Sequence, residues 1–545
     1  MEPRNMNMLL VTGGEQHDFT ALADRLKHLA NGQGWNVTAT QDRAALAQLS
    51  AGAFATVVLC AQGGELTASQ ERGLVDFVQG GGGFVGIHGA ATIGPSHTGY
   101  QALLGCRFVG HGPPVELDIE PADPDHFITR HVRRFRAPTE LYQLEMTVHD
   151  EHLLLQSVWQ GKIQPVAYVR HQGRGRVVYL SLGHTVEDFQ DGPWLTVLLR
   201  AWRWAAGATE KPPLKAGVIG YGGAFNMGKH HLTEMKNAGL IPVAACDIDP
   251  VRMKAAAADF PALQTYTNIG ALLAKSEAEL LTVILPHNVH ASVATQVLAS
   301  GRHCVVEKPM AITSAEVQTM IAAAEKHQRL LSAYHNRRWD GDFLAIEHVV
   351  RRRQLLGDLF QVEMAMSHYG APGNWWRSHK DISGGIQYDW GAHFMYWALE
   401  LIDGPIDWVV ATAQKRVWRQ ASNEDHLSAY VRFRSGCILQ FETSSIARAP
   451  KPRWRILGTR GAIVDTWNGA FDLAIYEPGV HHETPARVKY YETQWGRYYE
   501  NIADHLGLGD PLEITARKAG RVIHLLYAMD QAAASGRQER VSGEG

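Results

Sequence analysis

The segment His303-Cys304-Val305-Val306-Glu307-Lys308-Pro309 places an amine where chemistry would need one. Its apolar part reads as a buried strand that runs straight into Glu307-Lys308-Pro309. Ligands of open α/β sheets bind at the carboxyl ends of strands, so Lys308 stands where a substrate would lie. Pro309 restrains the backbone of Lys308. A partly desolvated lysine beside a positively charged nicotinamide is suited to proton relay. Downstream, Asp389 and His393 are spaced i,i+4 and project from one face of a helix that begins near Asp389. Gly384 and Gly385 let the preceding loop pass close to a substrate. Taken singly, Lys308 reads as a surface lysine, Asp389 as a helix cap and His393 as a satisfied core histidine. Together the three point to proton transfer coupled to hydride transfer, to or from a polyol or sugar.

The element that would bring the hydride acceptor lies upstream. Residues 216–220 form a small apolar strand that opens on Gly220-Tyr221-Gly222-Gly223-Ala224-Phe225-Asn226-Met227-Gly228 and then a helix. Glycines allow a tight turn and close approach of a pyrophosphate, and a helix start offers free N–H groups. Phe225 stands where the usual third glycine belongs, and Gly228 restores close packing after a longer loop. Asp247 ends the next strand, where a carboxylate accepts from ribose hydroxyls and repels a 2′-phosphate; this favours NAD over NADP. Asp249-Pro250 competes with it as a helix start. Trp375, Trp376 and Arg377 suit a sugar ring and its hydroxyls, although tryptophans there also suit a core. His335-Asn336-Arg337-Arg338 follows another strand and lines the same cleft.

The bulk numbers fit this reading. With 545 residues, the chain is too long for one core. Hydrophobic content of 45%, charged content of 20% and net charge −3 describe a soluble protein with no electrostatic case for nucleic acid or anionic membrane. The five cysteines are scattered without C-x-x-C spacing, which argues for buried thiols in a cytoplasmic protein. No export signal or membrane-spanning run is visible, so a cytoplasmic location is expected.

Residues 8–206 alternate short apolar runs (8–12, 56–60, 83–88 and 176–182) with helical patterns, the signature of a parallel sheet covered on both faces. Pro212-Pro213 stiffens a linker. After about residue 355, strand-like runs follow one another without crossover helices, which predicts a largely antiparallel sheet. The expected domains are 1–207, a linker 208–215, 216–335 and 336–545. In the first, His17, His88 and His184 follow strands and His111 follows a loop. Carboxyl ends of parallel strands share one rim, so these imidazoles could converge beside Glu140 and Asp18, as a divalent-metal site or as an acid/base site. The competing reading is four unrelated surface histidines.

Residues 214–535 resemble the glucose–fructose oxidoreductase/inositol dehydrogenase/rhizopine-catabolism (Gfo/Idh/MocA) family. The resemblance rests on the Gly-rich loop, Asp247, Leu285-Pro286-His287-Asn288-Val289-His290, Glu307-Lys308-Pro309 and Asp389…His393. It implies a Rossmann domain followed by an α+β domain whose open, mainly antiparallel sheet often serves oligomerisation. It also implies proton transfer by Lys308 and His393, with Asp389 binding or orienting the substrate. The cofactor-binding set is then Gly220, Gly222, Gly223, Phe225, Asn226, Asp247, Pro286, His287, His290, Glu307 and Lys308, and the substrate set Trp376, Arg377, His335 and Arg337. Departures are Phe225, His287 in place of the common asparagine, and Tyr396 where an aspartate often stands.

Residues 6–207 resemble the trehalose-utilisation (ThuA-like) family, related in fold to class I glutamine amidotransferases. The motifs are Val11-Thr12-Gly13-Gly14…His17-Asp18, Gly86-Ile87-His88, Thr139-Glu140-Leu141-Tyr142 and Gly173-Arg174-Gly175-Arg176…Gly183-His184. The implied fold is an α/β, flavodoxin-like parallel-sheet domain. Where the amidotransferases carry a cysteine at the strand-to-helix elbow this chain carries His88, which excludes a thiol acyl-enzyme.

The expectation for the whole chain is sequential work on one carbohydrate. An NAD-dependent oxidation at C3 of a glycoside gives a 3-keto-sugar, which the first domain binds or transforms. Alternatives are a simple polyol or aldose dehydrogenase with a non-catalytic first domain, and a non-enzymatic sugar/NAD sensor.

Overall fold

The computed structural model describes residues 6–50, 52–189, 192–222, 225–476 and 485–544. The chain forms two compact units: Met1–Pro212 with Asp504–Pro511, and Pro213–Ala503 with Leu512–Gly545. Among the described residues no helix is long and apolar enough to cross a membrane. All five cysteines are buried and unpaired.

The first unit is built on a nine-stranded sheet. Its parallel strands lie in the order Asn36–Thr40, Asn7–Gly13, Thr56–Ala61, Gly83–Ile87, Gly175–Leu180. In chain order this is second, first, third, fourth, fifth, the doubly wound arrangement whose switch point falls between the first and third strands. Side chains alternate across a strand, and the two faces sort accordingly. Leu10, Val58, Val85 and Val178 enter one core, and Leu9, Val57, Phe84 and Val177 enter the other. Helices Phe19–Gly32 and Ala68–Gln79 start on side-chain caps from Asp18 and Thr67.

The sheet is not parallel throughout, as the sequence had suggested. Lys162–Gln172, His152–Trp159, Val115–Pro121 and Phe135–Thr139 extend it in antiparallel fashion. Gln160-Gly161, both at positive φ (50° and 77°), form the tight turn between two of these strands.

The second unit holds two sheets. Six parallel strands run in the order Gln264–Tyr266, Ile241–Cys246, Lys215–Ile219, Leu280–Val283, His303–Val306, Leu331–Ala333. This third-second-first-fourth-fifth-sixth order is that of dinucleotide-binding sheets. Gln264–Tyr266 escapes a sequence reading because it is three residues long and carries no apolar run.

The other sheet has eight strands: Ile406–Gln414, His426–Phe433, Ile438–Ser444, Leu359–Ser367, Trp454–Gly458, Gly461–Asp465, Ala470–Ile475 and Ala486–Lys489. Neighbours are antiparallel except Leu359–Ser367 against Ile438–Ser444. Helices Trp390–Leu401 and Ala516–Ser535 pack on each other, the first being buried almost throughout.

Candidate functional site

The dinucleotide loop follows Lys215–Ile219. Gly220 has φ +98°, and a Cβ there would lie 2.0 Å from the Ile284 carbonyl oxygen. Only glycine fits this turn. A Cβ at Gly228 would come within 2.6 Å of Tyr221 Cα, so Gly228 lets helix Met227–Asn237 sit against the loop. Asp247 Oδ2 accepts from the backbone N–H of Tyr221 (2.8 Å) and Gly222 (3.2 Å). The carboxylate therefore shapes the loop and retains further acceptor positions. Asp249, not Asp247, caps the next helix, accepting from Val251 N at 2.8 Å. Asn226 adopts φ 50°, and Phe225 is 59% exposed beside Trp375. Gly223 lies outside the described residues. The turn, the close-packed glycine and the placed carboxylate fit a bound dinucleotide.

Lys308 leaves the end of strand His303–Val306 through a cis Lys308–Pro309 peptide. Its Nζ donates to Asp389 Oδ1 (2.9 Å) and to the Asp389 carbonyl (3.3 Å). Arg377 reaches the same Oδ1 at 3.1 Å. Partial desolvation works against the charge on Asp389, whose side chain keeps 44% of its surface open, but Lys308 and Arg377 outweigh it and hold the carboxyl well below the usual carboxylate range. Asp389 immediately precedes helix Trp390–Leu401 but makes no side-chain cap. Its carboxylate is committed to the two cations instead.

His393 comes one turn later and is buried, with Nδ1 lacking a hydrogen-bond partner among the described residues. That is not the pattern of a satisfied core histidine. Burial, then the charges of Lys308 and Arg337, push its pKa well below the ordinary value, so the ring is a neutral base. His335 lies 6.3 Å from it, centroid to centroid, and stacks on Tyr396 at 4.7 Å. Neither His335 ring nitrogen has a partner among the described residues. Trp376 packs edge-on to His287, whose Nδ1 is 2.8 Å from the Ser383 carbonyl. Arg337 stacks over Trp390 and pairs with Asp340 at 3.0 Å. Pro286 leads into the short turn His287–Val289.

Two residues expected at the cofactor are occupied otherwise. Glu307 holds His231 Nε2 at 3.1 Å and the Lys308 backbone N–H at 2.8 Å. Both ring nitrogens of His290 face carbonyls, of Pro309 (2.9 Å) and Leu285 (2.7 Å). Both residues brace the Lys308 turn. His231, whose Nδ1 faces the Tyr499 hydroxyl at 2.8 Å, is the support that sequence reading missed.

In the first unit, His88 directly follows strand Gly83–Ile87 at φ 45°, a left-handed conformation that side chains rarely adopt. Gly86 and Gly89 flank it because a Cβ at either would meet neighbours at 2.8 Å. The elbow aims His88 Nε2 at a cluster, while its Nδ1 sits 2.7 Å from the Ser181 carbonyl. His17, His88 and His184 each present a ring nitrogen within 4.8 Å of the others. Glu140, nearly buried, lies 3.3 Å from His88 Nε2, 3.1 Å from His184 Nδ1 and 3.1 Å from His111 Nδ1. Burial and the neighbouring imidazoles lower His17 to about 4. The rim geometry thus gathers the four histidines with Glu140. Asp18 is the correction: it is exposed and caps helix Phe19–Gly32 through Ala21 N at 3.0 Å.

Comparison with known proteins fits these two sites. Residues 7–205 match the ThuA family, described as trehalose utilisation. Residues 214–335 match the oxidoreductase family with an NAD-binding Rossmann fold, and 343–464 the Gfo/Idh/MocA C-terminal domain. This chain joins a ThuA domain to a Gfo/Idh/MocA oxidoreductase.

Relatives that cover more than half of this chain are oxidoreductases or NAD-binding proteins. An uncharacterized oxidoreductase of Schizosaccharomyces pombe is 26% identical over 56% of this chain and 85% of its own length. The scyllo-inositol 2-dehydrogenase (NADP(+)) of Bacillus subtilis is 25% identical over 58% of this chain and 92% of its own. The crystal structure of an NAD-binding protein from Listeria innocua superposes with TM-score 0.54, at 26% identity, over 61% of this chain and 98% of that one. In the Gfo/Idh/MocA part, Tyr396 has its hydroxyl buried without a partner among the described residues, behind His335.

Proposed function

We propose that the protein is an NAD-dependent dehydrogenase of a sugar or glycoside hydroxyl, acting at C3 to give a 3-keto-sugar that the ThuA domain binds or transforms. The observation that carries the reading is Lys308, fixed at 2.9 Å on Asp389, which stands one helical turn from the neutral His393, whose Nδ1 has no partner among the described residues. NAD supplies the hydride acceptor when bound. The chain's own groups do the rest. Asp389 orients Lys308, His393 or Lys308 takes the hydroxyl proton, and Arg377 with Trp376 contacts the ring. Support for a polyhydroxylated substrate comes from the inositol dehydrogenase relative.

A C3 ketone acidifies the neighbouring C2–H. Loss of that proton expels the C1 substituent, so glycosidic cleavage needs no pair of carboxylates at the anomeric carbon. The fusion with a second polar site favours this sequence over a simple polyol dehydrogenase. NAD is preferred because the Asp247 carboxylate faces the loop. A homo-oligomer built on the eight-stranded sheet, in the cytoplasm, completes the reading.

The test is incubation of the full chain with NAD and a glycoside panel, beside Glu140→Gln. The proposal expects NADH from both proteins and a cleaved product only from the wild type. Identical products from both would leave the ThuA domain a passive module.

A further inference from the structure

We propose that His17, His88, His184 and Glu140 of the ThuA domain hold a divalent transition-metal ion. Among the described residues, this is the group of three such side chains whose ligand atoms converge within 4.8 Å.

The polar atoms of these side chains face a common centre. The Ser181 carbonyl can only accept, so the His88 proton resides on Nδ1, 2.7 Å away. His88 Nε2 then faces Glu140 Oε1 at 3.3 Å and His184 Nδ1 at 3.4 Å. Glu140 Oε1 is itself only an acceptor while ionised. His17 Nε2 is buried and has no partner among the described residues. A proton on His184 Nδ1 serves Glu140 Oε1 at 3.1 Å but leaves His17 Nε2 without a partner among the described residues; an ion at the centre engages all four side chains.

The spacing agrees. Metal–nitrogen bonds of about 2.0–2.1 Å in tetrahedral geometry set donor atoms roughly 3.3–3.4 Å apart. The His88–His184 separation is 3.4 Å, and Glu140 Oε1 stands 3.3 and 3.1 Å from the same two nitrogens. The backbone carbonyl on His88 Nδ1 is the outer partner that fixes tautomer and ring in metal-ligating histidines. The left-handed φ of 45° at His88 is the local cost of aiming that ring.

Three imidazoles and one carboxylate suit zinc, manganese, iron, cobalt or nickel, and disfavour the all-oxygen preferences of calcium and magnesium. The donor set leaves one net positive charge on a divalent ion, which would stabilise the oxyanion formed when an α-hydroxyketone loses a proton. Assignment of that substrate class rests on the function proposed above; the metal site does not.

The experiment uses the full chain, stripped with chelator and titrated with Co(II), following visible d–d absorption and metal content per chain. Wild type and Lys308→Ala each bind one equivalent, while His88→Ala and His184→Ala bind about 100-fold more weakly or not at all. Thermal melting of each variant checks folding, and His17→Ala, on a loop, decides if His88→Ala does not fold. Binding well below one equivalent by the wild type, or one equivalent retained by the folded histidine variants, overturns the site. Failure to form NADH while Co(II) still binds would defeat the dehydrogenase reading and leave the metal site standing.

Discussion

The Lys308 ammonium lies 2.9 Å from Asp389 Oδ1, and a second cation, Arg377, meets the same oxygen at 3.1 Å. One carboxylate at a helix start thus positions the amine at a strand end. Asp389 is 44% exposed, so solvent screens the pair and its share of stability is small. Its use is orientation.

Arg377→Met should therefore separate activity from stability. The turnover rate constant falls about 10-fold or more as Asp389, the partner of Lys308, loses its second cation, whereas unfolding free energy changes by less than about 1 kcal/mol. Steady-state kinetics beside a denaturant curve read both. A large stability loss with unchanged kcat would make the arginine structural.

Gly228→Ala tests the dinucleotide loop. Its added Cβ would meet Tyr221 Cα at 2.6 Å and the Gly220 carbonyl oxygen at 2.9 Å, both backbone. Overpacking of this kind costs about 1–3 kcal/mol. Titration with NAD should show at least about 10-fold weaker binding.

The Lys308 strand end and the Asp389/His393 spacing are legible because each is a local pattern, a strand running into a fixed tripeptide and two residues one turn apart. The His231–Glu307 brace is not, since its partners lie 76 residues apart and His231 sits in a polar run. Asp18 misleads because it follows His17, yet the nearest free N–H groups belong to its own helix and claim it. The antiparallel extension is hard to read because it hinges on the two-residue turn Gln160-Gly161, of which only the glycine is a usual turn residue. The convergence of His17, His88 and His184 follows from strand order, which fixes where strand ends fall.

Cofactor choice follows Asp247. Wild type should use NAD better than NADP, and Asp247→Ser should narrow the kcat/KM ratio at least about 10-fold. A wild-type preference for NADP would show that the carboxylate serves the loop alone.

Acid should weaken the fold through its buried histidines. Burial, then the charge of Lys308, lowers His335 to about 3, and His393 lies well below its ordinary value. From about pH 3 to 6.5 the unfolded chain binds protons that the folded chain does not, so stability rises with pH and is complete above the unfolded value. Going from pH 7 to pH 5 costs about 2 kcal/mol for His335, and His393 adds to the loss in the same direction. Urea unfolding at the two pH values should show this loss, and His335→Asn should reduce it. Equal stability at both would refute the neutral-imidazole assignment.

The central claim is that Lys308 serves hydride transfer from a sugar hydroxyl. Wild type and Lys308→Ala should be incubated with NAD and a glycoside panel, following NADH absorbance and product mass. The account predicts NADH with a product one H2 lighter, or its cleavage fragments, from the wild type. Lys308→Ala should still bind NAD but turn over about 100-fold slower or less. Turnover by Lys308→Ala at the wild-type rate would contradict it.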